Sequence, residues 1–132
     1  MRHTTILPDM EWTLPPLLTS TVVRAFDSAC ELFSSPVTFN PDVSHFLSSR
    51  ADDSALGARG LPYALPWRGS SIGCPSYTHD DLRHSVYWAL MSAAHSSQAS
   101  LTCLLMPDWP GSAFNVLIWD NAALAHVVLQ IS

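Results

Sequence analysis

The feature that most constrains the fold is the nearly unbroken apolar run Leu101–Met106, which Pro107 closes. An apolar run of this length is typical of a strand that is covered on both faces in a parallel sheet. Helical patterns precede it in the chain. The run therefore favours an α/β fold, in which helices pack on a mostly parallel sheet.

Two amphipathic helices are predicted before this strand. Residues 15–29 carry an apolar face, and Pro15 and Pro16 suit the first turn of a helix. The second helix is expected to begin after Thr78 as the N-cap, with acidic residues in its first turn, and to end near Ser96.

The remaining elements are shorter. Residues 31–33 are a strand candidate, residues 42–47 a short helical turn, and residues 48–70 a long loop without a periodic element. Residues 114–119 and 125–131 are predicted to be two strands that form an antiparallel hairpin at the sheet edge. The expected organisation is one domain over residues 14–132, after a lead-in of residues 1–13.

Composition limits the classes of function. Hydrophobic residues make up 48% of the chain and charged residues 13%, which is enough to bury a core. The net charge is −5 and all six cations are arginine, so phosphate neutralisation alone is not expected to hold nucleic acid. Cys30, Cys74 and Cys103 lack paired spacing and are expected to be reduced thiols in an intracellular protein. The sequence predicts neither a signal peptide nor a membrane-spanning run.

Four segments in order resemble motifs of the phosphorylated-CTD-interacting-factor family, the cap-specific adenosine-N6 methyltransferases. The resemblance extends over residues 14–111, about three quarters of the chain. Cys30–Val37 is similar to the family's E-C-F-A-S-P-L-N, Leu56–Gly60 to F-G-S-R-G, Gly73–Tyr77 to A-N-P-P-F, and Leu105–Trp109 to F-I-P-E-W. Residues 121–130 resemble the family's closing strand.

This resemblance implies a small, truncated Rossmann-like (class I) methyltransferase core with a mostly parallel sheet and an antiparallel C-terminal hairpin. It also implies S-adenosylmethionine as methyl donor, RNA or the RNA polymerase II tail as partner, and a nuclear location. The residues that it assigns are Cys74, Pro75, Ser76 and Tyr77 for catalysis, Glu31, Ser35 and Pro36 for the cofactor, and Arg59 and Trp109 for the substrate.

The catalytic loop departs from the family pattern at two positions. Cys74 stands where the family has asparagine, and Ser76 stands where it has the second proline. In the family the asparagine oxygen holds the target amine, whereas a thiol is only a weak donor and weak acceptor. Loss of one preorganised polar group costs about 10²–10³ in rate, so weak or lost activity is expected. With about 14 residues upstream and no glycine-rich turn, an incomplete cofactor pocket is also expected.

Several residues carry alternative interpretations. Cys74 is either a nucleophile at a helix N-terminus or a small residue tolerated after catalysis was lost. The three histidines near the second predicted helix, His79, His84 and His95, suggest a metal site, but solvated histidines explain their spacing better. Trp109 either stacks on a base or closes the core, and Glu31 either holds the ribose or is a plain carboxylate at a strand end.

The alternative function is a non-catalytic module that binds a protein partner through the same cleft or through exposed apolar surface. A fragmentary gene copy without its own function is a third hypothesis. An enzyme needs a cavity beside residue 74 for both the cofactor and a flipped base, whereas in a scaffold side chains can fill that space.

Overall fold

A computed structural model describes residues 16–95, 97 and 99–125. Within these residues the elements are, in chain order, α1 (Pro16–Phe26), β1 (Cys30–Glu31), β2 (His45–Phe46), a 3₁₀ helix (Ala51–Leu56), β3 (Ser70–Gly73), α2 (His79–Ala94), β4 (Leu101–Leu104) and α3 (Ala113–Asp120). Among the described helices, none is long and apolar enough to cross a membrane.

The described strands form one parallel sheet in the order β2-β1-β3-β4. β1 occupies a central position although it has only two residues, and Glu31 lies between Phe46 of β2 and Ile72 of β3. β4 continues the sheet beyond β3, with Cys103 opposite Ile72. The prediction of an α/β fold with a parallel sheet is confirmed.

Helices cover the two faces of the sheet. On one face Val23 of α1 packs with Ile72 and with Val43 of the β1–β2 connection. On the other face α2 and α3 pack together, and their contact is centred on Leu82, Val86 and Phe114. These two sets of contacts produce three layers.

The second predicted helix is confirmed at its start. Thr78 has extended backbone angles, and its hydroxyl accepts the Asp81 N–H at 3.2 Å, as an N-cap does. The helix ends at Ala94, and the N–H of His95 donates to the carbonyl of Met91. The local sequence signals were therefore sufficient to place this element.

The predicted antiparallel hairpin is wrong. Residues 114–119 lie in helix α3, and residues 126–131 of the other predicted strand fall outside the described residues. The reason is packing: Phe114, Leu117 and Ile118 recur at helical spacing and contact the apolar stripe of α2. Asn121 ends the helix, since its side chain donates to the carbonyl of Leu117 at 2.8 Å.

Three further predictions also need correction. Residues 42–47 are not a helical turn, because His45–Phe46 pairs with β1 as strand β2. The loop 48–70 contains the 3₁₀ helix Ala51–Leu56, which ends at Gly57 in a left-handed conformation with φ of 108°. β4 has half-exposed side chains and an exposed Leu101, so it is not covered on both faces as expected.

Two substitutions in α3 test the helical assignment. A strand would place residues 114 and 116 on the same face, whereas in the helix Phe114 is 1% exposed and Val116 is 48% exposed. Phe114→Ala is expected to lower the free energy of unfolding by about 3–5 kcal/mol, and Val116→Ala by less than about 1 kcal/mol. Urea denaturation measures both, and similar losses at the two positions would contradict the helix.

Candidate functional site

The carboxyl ends of β1 and β3 lie side by side in the middle of the sheet. β1 is followed by β2 on one side and β3 by β4 on the other, so the connections leave in opposite directions. In open α/β sheets, ligands bind in the crevice outside such a switch point. Glu31 ends β1 and Cys74 directly follows β3, so two predicted site residues flank this position.

The loop between β3 and α2 is tied to the first turn of the helix. Cys74 and Pro75 are buried, while Ser76 is exposed. The hydroxyl of Ser76 donates to a carboxylate oxygen of Asp81, whose own N–H is held by Thr78. These bonds fix the loop although it lacks the second proline of the family motif.

Cys74 and Tyr77 interact within this loop, and this interaction lowers the pKa of Cys74 and raises that of Tyr77. Burial has the larger effect and raises the pKa of Cys74 to about 11, and the charge of Glu31 raises it further. Burial also raises the pKa of Tyr77. Because a nucleophilic cysteine must be a thiolate, the raised pKa opposes that role for Cys74 at neutral pH.

Trp109 lies against the loop from the end of β4. Its ring contacts Tyr77 edge-on, with centroids 6.2 Å apart and planes at 71°. On other sides it approaches His79 at 5.2 Å and Phe114 at 6.1 Å. Trp109 also packs against the α2–α3 core, so its ring closes that core beneath the loop. It is thereby brought next to the predicted catalytic residues.

Glu31 is held by Asn40, a residue to which the sequence motifs assign no role. The N–H of Asn40 donates to Glu31 Oε1 at 2.6 Å, and the Asn40 side chain bonds to Ser20 at 3.2 Å and to the N–H of Asp42 at 2.8 Å. Burial raises the pKa of Glu31, and the Asn40 N–H opposes this shift. The Asn40-Pro41 pair is a turn signal that would have marked this position.

Three other predicted residues lie apart from these contacts. Ser35 closes a turn in which its carbonyl accepts the N–H groups of Thr38 and Phe39, and Pro36 lies within that turn. The Ser35 hydroxyl bonds to that of Thr38 at 2.8 Å. Arg59 donates its N–H to the carbonyl of Phe46, so its backbone belongs to the β2 side of the sheet.

An aromatic side chain covers the backbone just before Cys74. A Cβ added at Gly73 would lie 2.8 Å from Phe33 Cδ2 and 3.0 Å from Leu32 Cβ. Phe33 in turn contacts Tyr63 at 5.8 Å and Trp67 at 5.7 Å between ring centroids. The end of β3 therefore packs tightly against the residues that follow β1.

The histidines do not converge. His84 stacks on Tyr63 at 3.7 Å, His79 lies near Trp109, and His95 contacts the carbonyl of Met91 at 3.0 Å. Within the part of the chain that the structure describes, no group of three metal-ligating side chains is placed to hold an ion. The structure thus gives the metal interpretation no support among these residues.

No protein-family model matches the chain, and no curated protein is significantly similar to it. The family resemblance of the four motifs therefore stays a prediction from the sequence.

The close approach at Gly73 predicts a position-specific loss of stability. Gly73→Ala is expected to lower the free energy of unfolding by about 1–3 kcal/mol, because the added methyl group meets Phe33 and Leu32. Gly60→Ala is the matched control, since a Cβ there meets nothing within 4 Å. Urea denaturation compares them, and an equal effect at both positions would refute the close packing.

The buried thiols predict a loss of stability at alkaline pH. The pKa of Cys74 rises from 9.0 to about 11 in the folded chain, so the unfolded chain releases this proton first and stability falls between these values. Each such thiol contributes about 2–3 kcal/mol below pH 9 that is lost above pH 11. Cys30 has the same shift, and burial also raises the pKa values of Tyr63 and Tyr77, which add to the loss at higher pH.

Urea denaturation from pH 8 to 11 measures this dependence, with Cys74→Ala as the comparison. Over this range the variant is expected to lose less stability than the native chain. The difference is the contribution of the Cys74 thiol to the free energy of unfolding. Parallel pH profiles of the two proteins would show that Cys74 ionises as readily in the folded as in the unfolded state.

Proposed function

We propose that the chain is a divergent member of the S-adenosylmethionine-dependent cap adenosine-N6 methyltransferase family in which catalysis is weak or lost. The observation that carries the proposal is the position of the Cys74–Tyr77 loop, which leaves the central strand β3 at the switch point and leads into α2. The order of motifs in the chain agrees with it. The fold would then be a small Rossmann-like methyltransferase core.

Glu31 is the residue best placed to hold the cofactor. Its Oε1 accepts the Asn40 N–H, and among the described residues no hydrogen bond engages Oε2, which is a suitable acceptor for a ribose hydroxyl. When bound, S-adenosylmethionine would supply an electrophilic methyl group. Ser35 fits this role less well, because the turn with Thr38 uses its hydroxyl.

The weakness of catalysis follows from how Cys74 is bonded. An adenosine amine becomes a better nucleophile when acceptors hold its hydrogens, and a thiol sulfur is a weak acceptor. In this chain the sulfur already interacts with the side chain of Tyr77. A target amine would have to compete with Tyr77 for the same atom. The expected loss relative to an asparagine loop is about 10²–10³ in rate.

A second candidate function is a non-catalytic module that binds a protein partner on this fold. The specific observation in its favour is that side chains pack closely at Gly73 and that Pro75 is fully buried, in the loop to which the first proposal assigns the base. RNA, the RNA polymerase II tail and a nuclear location belong to the first proposal, since they rest on the family resemblance.

Calorimetric titration with S-adenosylmethionine and its demethylated product tests the proposal. The native chain and Cys74→Asn are both expected to bind, because the substitution leaves Glu31 unchanged. Cys74→Asn is expected to methylate capped adenosine RNA about 10²–10³ times faster than the native chain. Cys74→Ala is the matched control, since it removes the thiol without adding an amide, and it is expected to show no gain.

Two results would contradict the proposal. Absence of cofactor binding to folded samples of both the native chain and Cys74→Asn would favour the non-catalytic module. Equal activity of Cys74→Asn and Cys74→Ala would show that the missing amide is not what limits catalysis.

A further inference from the structure

A small apolar depression lies on the 3₁₀ helix, away from the switch point. Its volume is about 130 Å³. It is lined by Arg50, Ala51, Ser54, Ala58, Gly60 and Leu61. None of these residues belongs to the Glu31–Cys74 edge, so this depression, which we call the 3₁₀ dimple, is a separate feature of the surface.

The walls of the 3₁₀ dimple are fixed by backbone bonds. Three residues per turn place Ala51 and Ser54 on the same face of the 3₁₀ helix. After Gly57 the chain turns back, and the carbonyl of Gly60 accepts the N–H of Ser48 at 3.0 Å. The N–H of Arg59 donates to the carbonyl of Phe46 at 2.9 Å. Both sides of the dimple are thus attached to the chain around β2.

Size and lining limit what can enter. A cavity of about 150 Å³ accepts one benzene-sized group, and most small-molecule sites exceed about 300 Å³. The 3₁₀ dimple therefore fits a single side chain rather than a cofactor. Its lining has no aromatic ring on which a nucleic acid base could stack. An aliphatic side chain is the group that matches.

One cationic side chain, Arg50, lines the 3₁₀ dimple, and Asp52 and Asp53 follow it in the 3₁₀ helix. Among the described residues, ion pairs join Arg24 to Asp42 and Arg83 to Asp80, and neither involves Arg50. The nearby carboxylates do not line the dimple, and that of Asp53 accepts the Ser48 hydroxyl at 2.6 Å. Arg50 is therefore available to an acidic group outside the chain.

We propose that the 3₁₀ dimple is a docking site for a protein segment in which an aliphatic side chain is flanked by an acidic residue. The aliphatic group enters the dimple between Ala58 and Leu61, and the carboxylate meets Arg50 at its rim. This inference does not require methyltransferase activity, because no residue assigned to catalysis, cofactor or substrate lines the dimple.

The test titrates the full ¹⁵N-labelled chain with a heptapeptide, acetyl-Ser-Gly-Asp-Leu-Asp-Gly-Ser-amide, and follows amide shifts by NMR. Burial of one aliphatic side chain and one exposed ion pair with Arg50 predict a dissociation constant on the order of 1 mM for this peptide. The shifts are expected at Ala51, Ser54, Ala58 and Leu61. Two matched peptides, in which lysine replaces both aspartates or serine replaces the leucine, are expected to bind at least about threefold more weakly.

Substitutions distinguish the contribution of the Arg50 charge to binding from that of the cavity. Arg50→Gln is expected to weaken binding about threefold, whereas Arg68→Gln removes the same charge from an exposed arginine outside the lining and is expected to leave binding unchanged. Gly60→Leu is expected to abolish binding, because its side chain would occupy the dimple. It should fold, since a Cβ at Gly60 meets nothing within 4 Å.

Three results would overturn the proposal. The first is absence of localised shifts at about 5 mM of the acidic peptide, well above the expected dissociation constant. The second is equal binding of the lysine peptide. The third is displacement of the bound acidic peptide by a single-stranded RNA hexamer that shifts the same amides, which would assign the dimple to nucleic acid.

Discussion

The pairing of β1 with β3 is the interaction on which the other features depend. β1 has two residues, so its few backbone hydrogen bonds cannot hold the centre of the sheet without packing on both faces. Ile72 packs against α1 on one face, and Leu32 packs with Trp67 on the other. Gly73 allows Phe33 to approach the end of β3. This approach packs the residue that follows β1 against the end of β3.

The same tight edge limits which groups are free to bind a ligand. Buried polar groups are stable when they have partners, and Tyr77 and Cys74 interact with each other. A catalytic site keeps some groups free for its ligand at a cost in stability. At this edge, by contrast, the thiol, the tyrosine hydroxyl and one oxygen of Glu31 already have partners within the chain. What would weaken catalysis therefore contributes to the stability of the loop.

The sequence was sufficient to predict elements that local signals specify. It was insufficient where tertiary contacts decide which element forms. Thr78 begins α2 through a cap that needs only the neighbouring residues. Residues 114–119 have an apolar pattern that suits either a strand or a helix, and the stripe on α2 selects the helix. The bond from Asn40 to Glu31 joins residues nine positions apart through a folded loop. No spacing rule would have predicted that contact.

The two candidate sites are connected through β2 but differ in what they require. The N–H of Leu47 donates to the carbonyl of Glu31, and the N–H of Ser48 donates to that of Gly60, so consecutive residues lead from the switch point to the 3₁₀ dimple. These are bonds within the chain and need neither cofactor nor substrate. The docking proposed at the 3₁₀ dimple would therefore not require the chemistry proposed at the Cys74 edge.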